Sequence, residues 1–437
     1  MEQFPKTFLK GAATAAHQVE GGNIHSDYWI QEHLPHSSFT EPSGAADDHY
    51  HRYKEDMQLL RDAGANAYRF SIEWARIEPE KGCFDENETA HYLQMIRDCR
   101  TIGLEPVVTL MHFTSPAWLI KEGGWENPKV VEYFADYVRH VVPILRHNVR
   151  YVCTINEANM RLQLLELMKS YSLGSSADDP VKTTKTCIPE KTSGKESQVQ
   201  VGLNLNGNLI LGMKEAAEAF GISDPRKIAT FVSPASPEGD RIVMEAHRSA
   251  VQILKEADPE IQVGLTLSLH DIQACPEGEQ EAKRQWEEEF THYLPWIAGD
   301  DFLGVQNYTR KCVNAGGVCE PDHPRGKTQM GYEIYPEALE HVIRKVAQDF
   351  KGTILVTENG IATERDEQRC DFIKAAAEGV RNCMRDGIPV KGYFYWSLLD
   401  NFEWQKGFSM TFGLIAVDRE HDLTRQPKPS LKVLGEL

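Results

Sequence analysis

Eight short apolar runs recur along this chain of 437 residues, and segments with helical periodicity separate them. Some runs are continuous, such as Ile354-Leu355-Val356, which is typical of a strand buried on both faces of a parallel sheet. Strands that alternate with helices over this length predict one α/β domain at 1–437, a (β/α)8 TIM barrel with its active site at the C-terminal ends of the strands. The eight expected strands are Phe8–Ala12, Ala67–Ile72, Glu105–Leu110, Arg150–Ile155, Gln262–Leu267, Phe302–Asn307, Thr353–Val356 and Gly392–Trp396.

The segments between the runs carry the periodicity of amphipathic helices. Apolar residues recur at helical spacing from Tyr50 to Leu60, and a second apolar stripe predicts a helix from about Arg241 to Glu256. The competing fold, an open doubly wound sheet, would want a glycine-rich phosphate turn after an early strand, and the sequence has none there. The segment 171–198 is rich in Ser, Thr, Lys and Asp, which predicts a polar loop excursion after the fourth strand.

Charge and cysteine content disfavour several classes of protein. The chain has 47 basic and 65 acidic residues, a formal charge of −18, which disfavours nucleic acid and an anionic membrane as partners. No run of about 18 apolar residues predicts a membrane span, and charged residues interrupt the apolar part of the first 20 residues, so we expect no signal peptide. The nine cysteines are scattered without a CxxC pair, which favours free thiols and a cytoplasmic location.

Two glutamates stand directly after predicted strands. The fourth run ends in Asn156-Glu157, and the seventh passes through Thr357 into Glu358. In a barrel both side chains would face one opening. Hydrolysis of a glycosidic bond needs such a pair, about 5 Å apart for double displacement, in which one carboxyl protonates the leaving oxygen and the other attacks the anomeric carbon. Either glutamate alone could simply cap the segment that follows it, but their joint position favours chemistry.

Further polar and aromatic side chains belong to the ends of the other predicted strands. A sugar has hydroxyls around its rim and C–H groups above and below, so polar side chains beside aromatic rings suit it. Singly, His112 would more often be a buried core histidine, and Trp396 would more often pack in the core. The candidates that together indicate a sugar site are Gln18, Arg69, His112, Tyr308, Trp396, Glu403 and Trp404.

Several of these residues stand in longer motifs. They are FLKGAATAAHQVEG from Phe8, YRFSI from Tyr68, TINE from Thr154, NY at Asn307, VTENG from Val356 and YWSLLDNFEW from Tyr395. Together the motifs resemble glycoside hydrolase family 1, the β-glucosidase and β-galactosidase family, along nearly the whole chain. The resemblance implies a (β/α)8 barrel and a retaining exo-β-glycosidase that needs neither cofactor nor metal, since two carboxylates suffice.

The resemblance also implies a role for each matching residue. Glu157 would be the general acid/base, and Glu358 would be the nucleophile that forms a glycosyl-enzyme ester. Arg69 and Tyr308 would hydrogen-bond to this nucleophile and lower its pKa, while burial and the charge of Glu358 would raise the pKa of Glu157. The residues that would bind the sugar are Gln18, His112, Asn156, Tyr308, Trp396, Glu403 and Trp404.

The implied substrates are small β-glucosides or cello-type oligosaccharides, with β-galactosides or β-fucosides as side substrates. One branch of the family takes 6-phosphorylated sugars, but the carboxylate of Glu403 would repel a phosphate, and only Lys406 favours that alternative. The chain departs from the family pattern around the site. Ala158 replaces a proline, and Phe113 replaces a tryptophan whose indole would donate to the sugar.

Other classes of protein fit less well. A serine hydrolase would want GxSxG, and a zinc peptidase would want HExxH, and the sequence has neither. A non-catalytic sugar-binding barrel would be expected to lose one of the two glutamates, and both stand here. A transglucosylase that uses the same ester intermediate remains open, as do the leaving-group preference and the oligomeric state.

Overall fold

The computed structural model describes residues 3–173, 199–204 and 209–437. Eight parallel strands close into a barrel in which each strand pairs with the next along the chain and the last pairs with the first. The predicted (β/α)8 barrel is therefore confirmed. The strands are β1 Leu9–Ala13, β2 Ala67–Ser71, β3 Glu105–Met111, β4 Tyr151–Ile155, β5 Gln262–Ser268, β6 Phe302–Gln306, β7 Thr353–Asn359 and β8 Val390–Trp396.

The burial of these strands explains why their sequences are continuously apolar. Every residue of β2 and of β6 is buried, because one face of each strand packs into the barrel and the other packs under helices. β1 approaches β2 so closely that a Cβ on Gly11 would lie 2.0 Å from the carbonyl oxygen of Ala67. The glycine in the first motif is thus a packing requirement of barrel closure.

Amphipathic helices surround the barrel and carry its outer layer. The predicted helix around Arg241–Glu256 is part of Pro237–Ala257, which begins after Ser236, whose hydroxyl accepts a hydrogen bond from the backbone N–H of Gly239. The α-helices in the described part of the chain are Ala16–Val19, Asp27–Glu32, His49–Asp62, Trp74–Ile77, Glu86–Ile102, Ala117–Lys121, Val130–Leu145, Met160–Leu173, Leu209–Phe220, Pro237–Ala257, Glu279–Glu289, Leu294–Ile297, Ala338–Asp349, Asp366–Arg385 and Pro429–Gly435.

Short elements accompany the barrel strands and the longer helices. Among the described residues the 3-10 helices are Gly124–Glu126, Pro225–Lys227, Thr291–Tyr293 and Trp404–Ser409, and the additional strands are Asp271–Ala274, Arg310–Asn314, Gly317–Val318, Ile415–Asp418 and Thr424–Pro427. Three of these strands form a small sheet of their own, in which Arg310–Asn314 lies between the other two. Its first strand begins three residues after β5 ends at Ser268, and its middle strand begins two residues after Tyr308, so the sheet borders the C-terminal ends of the barrel strands.

The described residues bear on three predictions from the sequence: the polar loop, the absence of a membrane span and the free thiols. The polar loop predicted at 171–198 is wrong at its start, because helix Met160–Leu173 continues through 171–173, and positions 174–198 lie outside the described residues. In the described ranges no helix has the length and apolar character needed to cross a membrane. Eight of the nine cysteines belong to these ranges, and all eight are free thiols.

Candidate active site

A cavity opens among the C-terminal ends of the barrel strands. Both predicted carboxylates, Glu157 and Glu358, line it. Their positions at the C-terminal ends of two barrel strands therefore bring together two side chains that are far apart along the chain. The complete lining is His112, Phe113, Asn156, Glu157, Gln200, Tyr308, Tyr332, Glu358, Trp396, Glu403, Trp404 and Phe412.

Glu358 is held by two donors. Nη1 of Arg69 lies 2.6 Å from its Oε1, and the phenol of Tyr308 donates to its Oε2 over 2.6 Å. Glu358 belongs to β7, which continues three residues beyond its predicted end at Val356. Arg69 and Tyr308 both act to lower the pKa of Glu358, as expected, but burial outweighs them and the pKa lies above its ordinary value.

Arg69 also binds Asn156, the residue directly before Glu157. Its Nη2 donates to Oδ1 of Asn156 over 2.6 Å, and the same oxygen accepts hydrogen bonds from Thr266 and Gln306. Three donors on one atom identify it as the amide oxygen. The amide nitrogen of Asn156 consequently faces the cavity, 3.1 Å from Nε2 of His112.

His112 is an uncharged histidine in this arrangement. Burial and the nearby charge of Arg69 hold its pKa well below the usual range. Its Nε2 accepts from the amide nitrogen of Asn156, so the proton lies on Nδ1, which has no hydrogen-bond partner within the described ranges. A buried donor without a partner is suited to a ligand hydroxyl.

A hydrogen bond to β5, the strand next to β4, fixes the backbone of Glu157. Its backbone has the left-handed conformation with φ of 44°, and its N–H donates to the hydroxyl of Thr266 over 2.9 Å. Burial, and then the charge of Glu358, raise the pKa of Glu157 well above its ordinary value, and the nearby Ser268 side chain acts in the opposite direction. Its Oε2 is buried without a partner among the described residues.

Gln18 and Glu403 form a second polar pair, of which Glu403 lines the cavity. Nε2 of Gln18 donates to the carbonyl oxygen of Phe402 over 2.8 Å and to Oε2 of Glu403 over 3.3 Å. Burial, and then the charge of Glu358, raise the pKa of Glu403 to about 8. Oε1 of Gln18 is buried and unpaired within the described ranges, so it too is available to a hydroxyl.

Aromatic rings form the remaining wall of the cavity. The ring of His112 stacks against Trp396 and Trp404, at centroid distances of 5.6 and 6.0 Å. Phe113 packs against Trp404 at 5.2 Å and supplies no N–H donor. Phe113, Glu157 and Trp404 all have positive φ, between 44° and 71°, so three residues of the cavity lining have a strained backbone, as is common at functional sites.

The structure brings all the predicted site residues into one cluster, either lining the cavity or hydrogen-bonded to a residue that does. Sequence reasoning missed Gln200, Tyr332 and Phe412 in the lining, and Thr266 and Ser268 behind it. Thr266 and Ser268 lie on β5, where inward positions could have been noticed from the strand pattern. Gln200 follows no barrel strand, and no sequence signal marks it.

The carboxyls of Glu157 and Glu358 determine which reaction this cluster can carry out. Arg69 and Tyr308 donate to Glu358 and favour its charged form, whereas Oε2 of Glu157 is buried without a partner among the described residues, so a single shared proton is favoured on Glu157. A proton donor and an ionised nucleophile beside hydroxyl-binding groups suit glycosidic bond cleavage. Within the described ranges no cluster of three or more His, Cys, Asp or Glu side chains is arranged to hold a metal ion.

Comparison with known proteins agrees with this chemistry. The model of a family described as glycosyl hydrolase family 1 matches residues 1–187 and 306–437. Beta-glucosidase A of Thermotoga maritima is 27% identical over 96% of this chain and 94% of its own, and beta-glucosidase 42 of Arabidopsis thaliana is 29% identical over 98% and 92%.

Solved structures give the same result. The beta-glycosidase BGL167 is 40% identical with a TM-score of 0.86, over 99% of this chain and 96% of that chain. A beta-glycosidase from Pyrococcus horikoshii is 30% identical with a TM-score of 0.77, over 99% and 94%. The likeness therefore extends over nearly the full length of both chains.

Proposed function

The chain belongs to glycosyl hydrolase family 1 and is a glycoside hydrolase, and from that premise we propose that it releases terminal, non-reducing β-D-glucosyl residues with retention of configuration. The observation that carries the proposal is the unequal environment of the two carboxyls. Arg69 and Tyr308 both donate to Glu358, whereas Glu157 keeps an unpaired buried oxygen toward the cavity. This asymmetry supports Glu358 as nucleophile and Glu157 as acid/base.

The first step forms the glycosyl-enzyme ester. The carboxylate of Glu358 attacks the anomeric carbon while Glu157 gives its proton to the glycosidic oxygen, and the bond from the anomeric carbon to that oxygen breaks. The alcohol leaves, and Glu157 becomes a carboxylate. Arg69 holds Glu358 and Asn156 with one guanidinium, so the nucleophile is aligned with the amide that would bind the 2-hydroxyl.

The second step hydrolyses the ester. Once Glu358 is esterified its charge is gone, so the pKa of Glu157 falls, because that charge is the largest contribution after burial. The Glu157 carboxylate takes a proton from water, the water oxygen attacks the anomeric carbon, and the ester bond breaks. Both carboxyls return to their starting states.

The proposed substrate class rests on the Gln18–Glu403 pair and on Trp396. The Gln18–Glu403 pair offers adjacent acceptors to sugar hydroxyls, and Trp396 provides a platform for the C–H face. The naming of relatives as beta-glucosidases supports glucosides over other β-glycosides, and the free thiols support a reducing, cytoplasmic location.

The proposal is tested with a panel of p-nitrophenyl glycosides and β-linked disaccharides, with the anomer of the first-formed sugar followed by NMR. We expect β-glucosides to be the best substrates and β-glucose to form first. If α-glucose forms first, retention is wrong. Transfer products that dominate over free glucose at high donor concentration would favour the transglucosylase alternative, and a protein that binds glucosides without turnover would be a non-catalytic barrel.

A further inference from the structure

A single residue of β5, Thr266, is hydrogen-bonded to three consecutive residues at the end of β4. Its Oγ1 accepts from the backbone N–H of Glu157 over 2.9 Å and donates to Oδ1 of Asn156 over 3.1 Å. Its carbonyl oxygen accepts from the N–H of Ala158 over 3.1 Å. Thr266 is fully buried, so its hydroxyl has one fixed orientation, in which the proton points to Asn156.

The backbone of Glu157 needs such support because it has the left-handed conformation, with φ of 44°. For a residue other than glycine this conformation is strained, and it persists only where the surrounding structure holds it. The N–H groups of Glu157 and Ala158 lie on either side of the strained position, and both donate to Thr266. Proline has no N–H, so the alanine that replaces the family's proline supplies the second of these bonds.

Gly304 of β6 provides the space for the Thr266 side chain. The two residues are paired in the barrel sheet, and a Cβ on Gly304 would lie 2.6 Å from Cγ2 of Thr266. A side chain at position 304 would therefore force Thr266 to move. Close packing against β6 thus holds Thr266 on one side, and its hydrogen bonds to the end of β4 hold it on the other.

We propose that Thr266 is a positioning residue that keeps the carboxyl of Glu157 and the amide of Asn156 in one fixed relation, so that proton donation to the leaving group and binding of the 2-hydroxyl occur together. The inference rests on the proposed roles of Glu157 and Asn156. Thr266 is not among the residues that line the cavity, so it acts on the sugar through these two neighbours.

Loss of the Thr266 hydroxyl should have two separate consequences. The buried N–H of Glu157 would lose its acceptor, which is costly, and the strained turn would relax so that the carboxyl moves away from the glycosidic oxygen. Asn156 would lose one of the three donors to its Oδ1, which loosens its amide. The first effect depends on the leaving group, and the second depends on the 2-hydroxyl of the sugar.

The test is Thr266→Val, which keeps the shape of the side chain and removes the hydroxyl. We expect kcat/KM to fall about 100-fold for an unactivated β-glucosyl disaccharide and about tenfold for a dinitrophenyl β-glucoside, whose departure needs no acid. For the dinitrophenyl 2-deoxy-β-glucoside, which also lacks the 2-hydroxyl, the fall should be less than about threefold. Thr266→Ser keeps the hydroxyl and should restore kcat/KM for all three substrates to within about threefold of the parent value.

Thr154→Val is the matched control. Thr154 lies on β4 and is as fully buried as Thr266, but its hydroxyl is hydrogen-bonded with His247 of helix Pro237–Ala257, 2.8 Å from Nδ1. The control therefore removes a buried hydroxyl beside the same strand without touching Asn156 or Glu157. It should lower the melting temperature and change kcat/KM for the three substrates by the same factor.

Parental kinetics in Thr266→Val, or an equal loss for the three substrates with folding confirmed by circular dichroism, would overturn the positioning role while leaving the proposed function intact. In the Glu157→Ala background, Thr266→Val should lower kcat/KM for the disaccharide by no more than about tenfold, because the acid is no longer there to be misplaced. A further loss of about 100-fold would also overturn the positioning role. If Glu157→Ala itself harms good and poor leaving groups alike, the proposed role of Glu157 is wrong instead.

Discussion

Nη1 of Arg69 lies 2.6 Å from Oε1 of Glu358 although the two residues are 289 positions apart in the chain. Both side chains are almost completely buried. A charge in such a place is tolerated only with a partner, and removing one member of a buried pair typically costs about 3–5 kcal/mol. The pair therefore links the folding of the barrel to the ionisation of the proposed nucleophile.

Replacing Arg69 should shift the acidic limb of activity. Arg69 favours the charged form of Glu358, so Arg69→Met should raise the pKa of Glu358 and move the acidic limb of kcat/KM to higher pH. We expect kcat/KM at neutral pH to fall at least about 100-fold. Arg69→Lys keeps the charge and should shift the limb less. Superimposable acidic limbs for the parent and both variants would contradict this role.

Removing the nucleophile should abolish turnover and permit rescue from the other face of the sugar. Glu358→Gly should lower kcat for a dinitrophenyl β-glucoside by at least about 10³-fold. Azide can then occupy the vacated side, and NMR should identify an α-glucosyl azide. Azide should not stimulate the parent enzyme. A β-glucosyl azide from this variant would assign the nucleophile elsewhere.

Removing the acid/base should give a loss that depends on the leaving group. Glu157→Ala should lower kcat/KM for a disaccharide by about 10²–10⁴-fold, because the departing alkoxide needs a proton, and should affect a dinitrophenyl glucoside far less. Azide should here give the β-glucosyl azide, since Glu358 still forms the ester. Equal losses for both substrates would refute the assignment.

Glu403 should make the free energy of unfolding depend on pH. Its pKa is raised to about 8 by burial and Glu358, so between about 4.5 and 8 the folded state keeps a proton that the unfolded state has released. Stability contributed by this group is therefore lost as pH rises through that window. Glu403→Gln should reduce the fall in melting temperature between pH 5 and pH 8, whereas Glu320→Gln, whose side chain is 78% exposed, should not. A parallel fall in Glu403→Gln and the parent would disprove this contribution.

Gly202 should be required for the correct position of the Glu403 side chain. A Cβ at Gly202 would lie 2.6 Å from the carbonyl oxygen of Glu403 and 3.1 Å from its Oε1. Gly202→Ala should displace Glu403 and raise KM for β-glucosides about tenfold, consistent with the cost of overpacking. Gly299→Ala is the matched control, because an added Cβ there meets nothing within 4 Å. Steady-state kinetics that give the same KM for both variants would contradict the prediction.

The sequence alone predicted the barrel and the two glutamates because both depend on local patterns. A run such as Ile354-Leu355-Val356 identifies a buried strand without knowledge of its neighbours, and the closure rule for parallel strands then aligns all strand ends on one rim. Glu157 and Glu358 follow directly from that rule. The boundary of β7 was misjudged because Thr357 and Glu358 are polar, yet after a register shift Glu358 still pairs with Gln306 of β6.

Only the tertiary structure decided the net direction of the pKa of Glu358, the orientation of the Asn156 amide and the participation of Gln200. Each depends on which groups converge from segments that are distant along the chain, as when Arg69 meets Asn156 across 87 positions. Periodicity reports how one segment is buried, but it carries no information about which donor from another segment reaches a given oxygen. The burial and hydrogen bonding of a site residue depend on contacts between distant segments. Those contacts exist only in the closed barrel, so only the tertiary structure decides these chemical properties of the site.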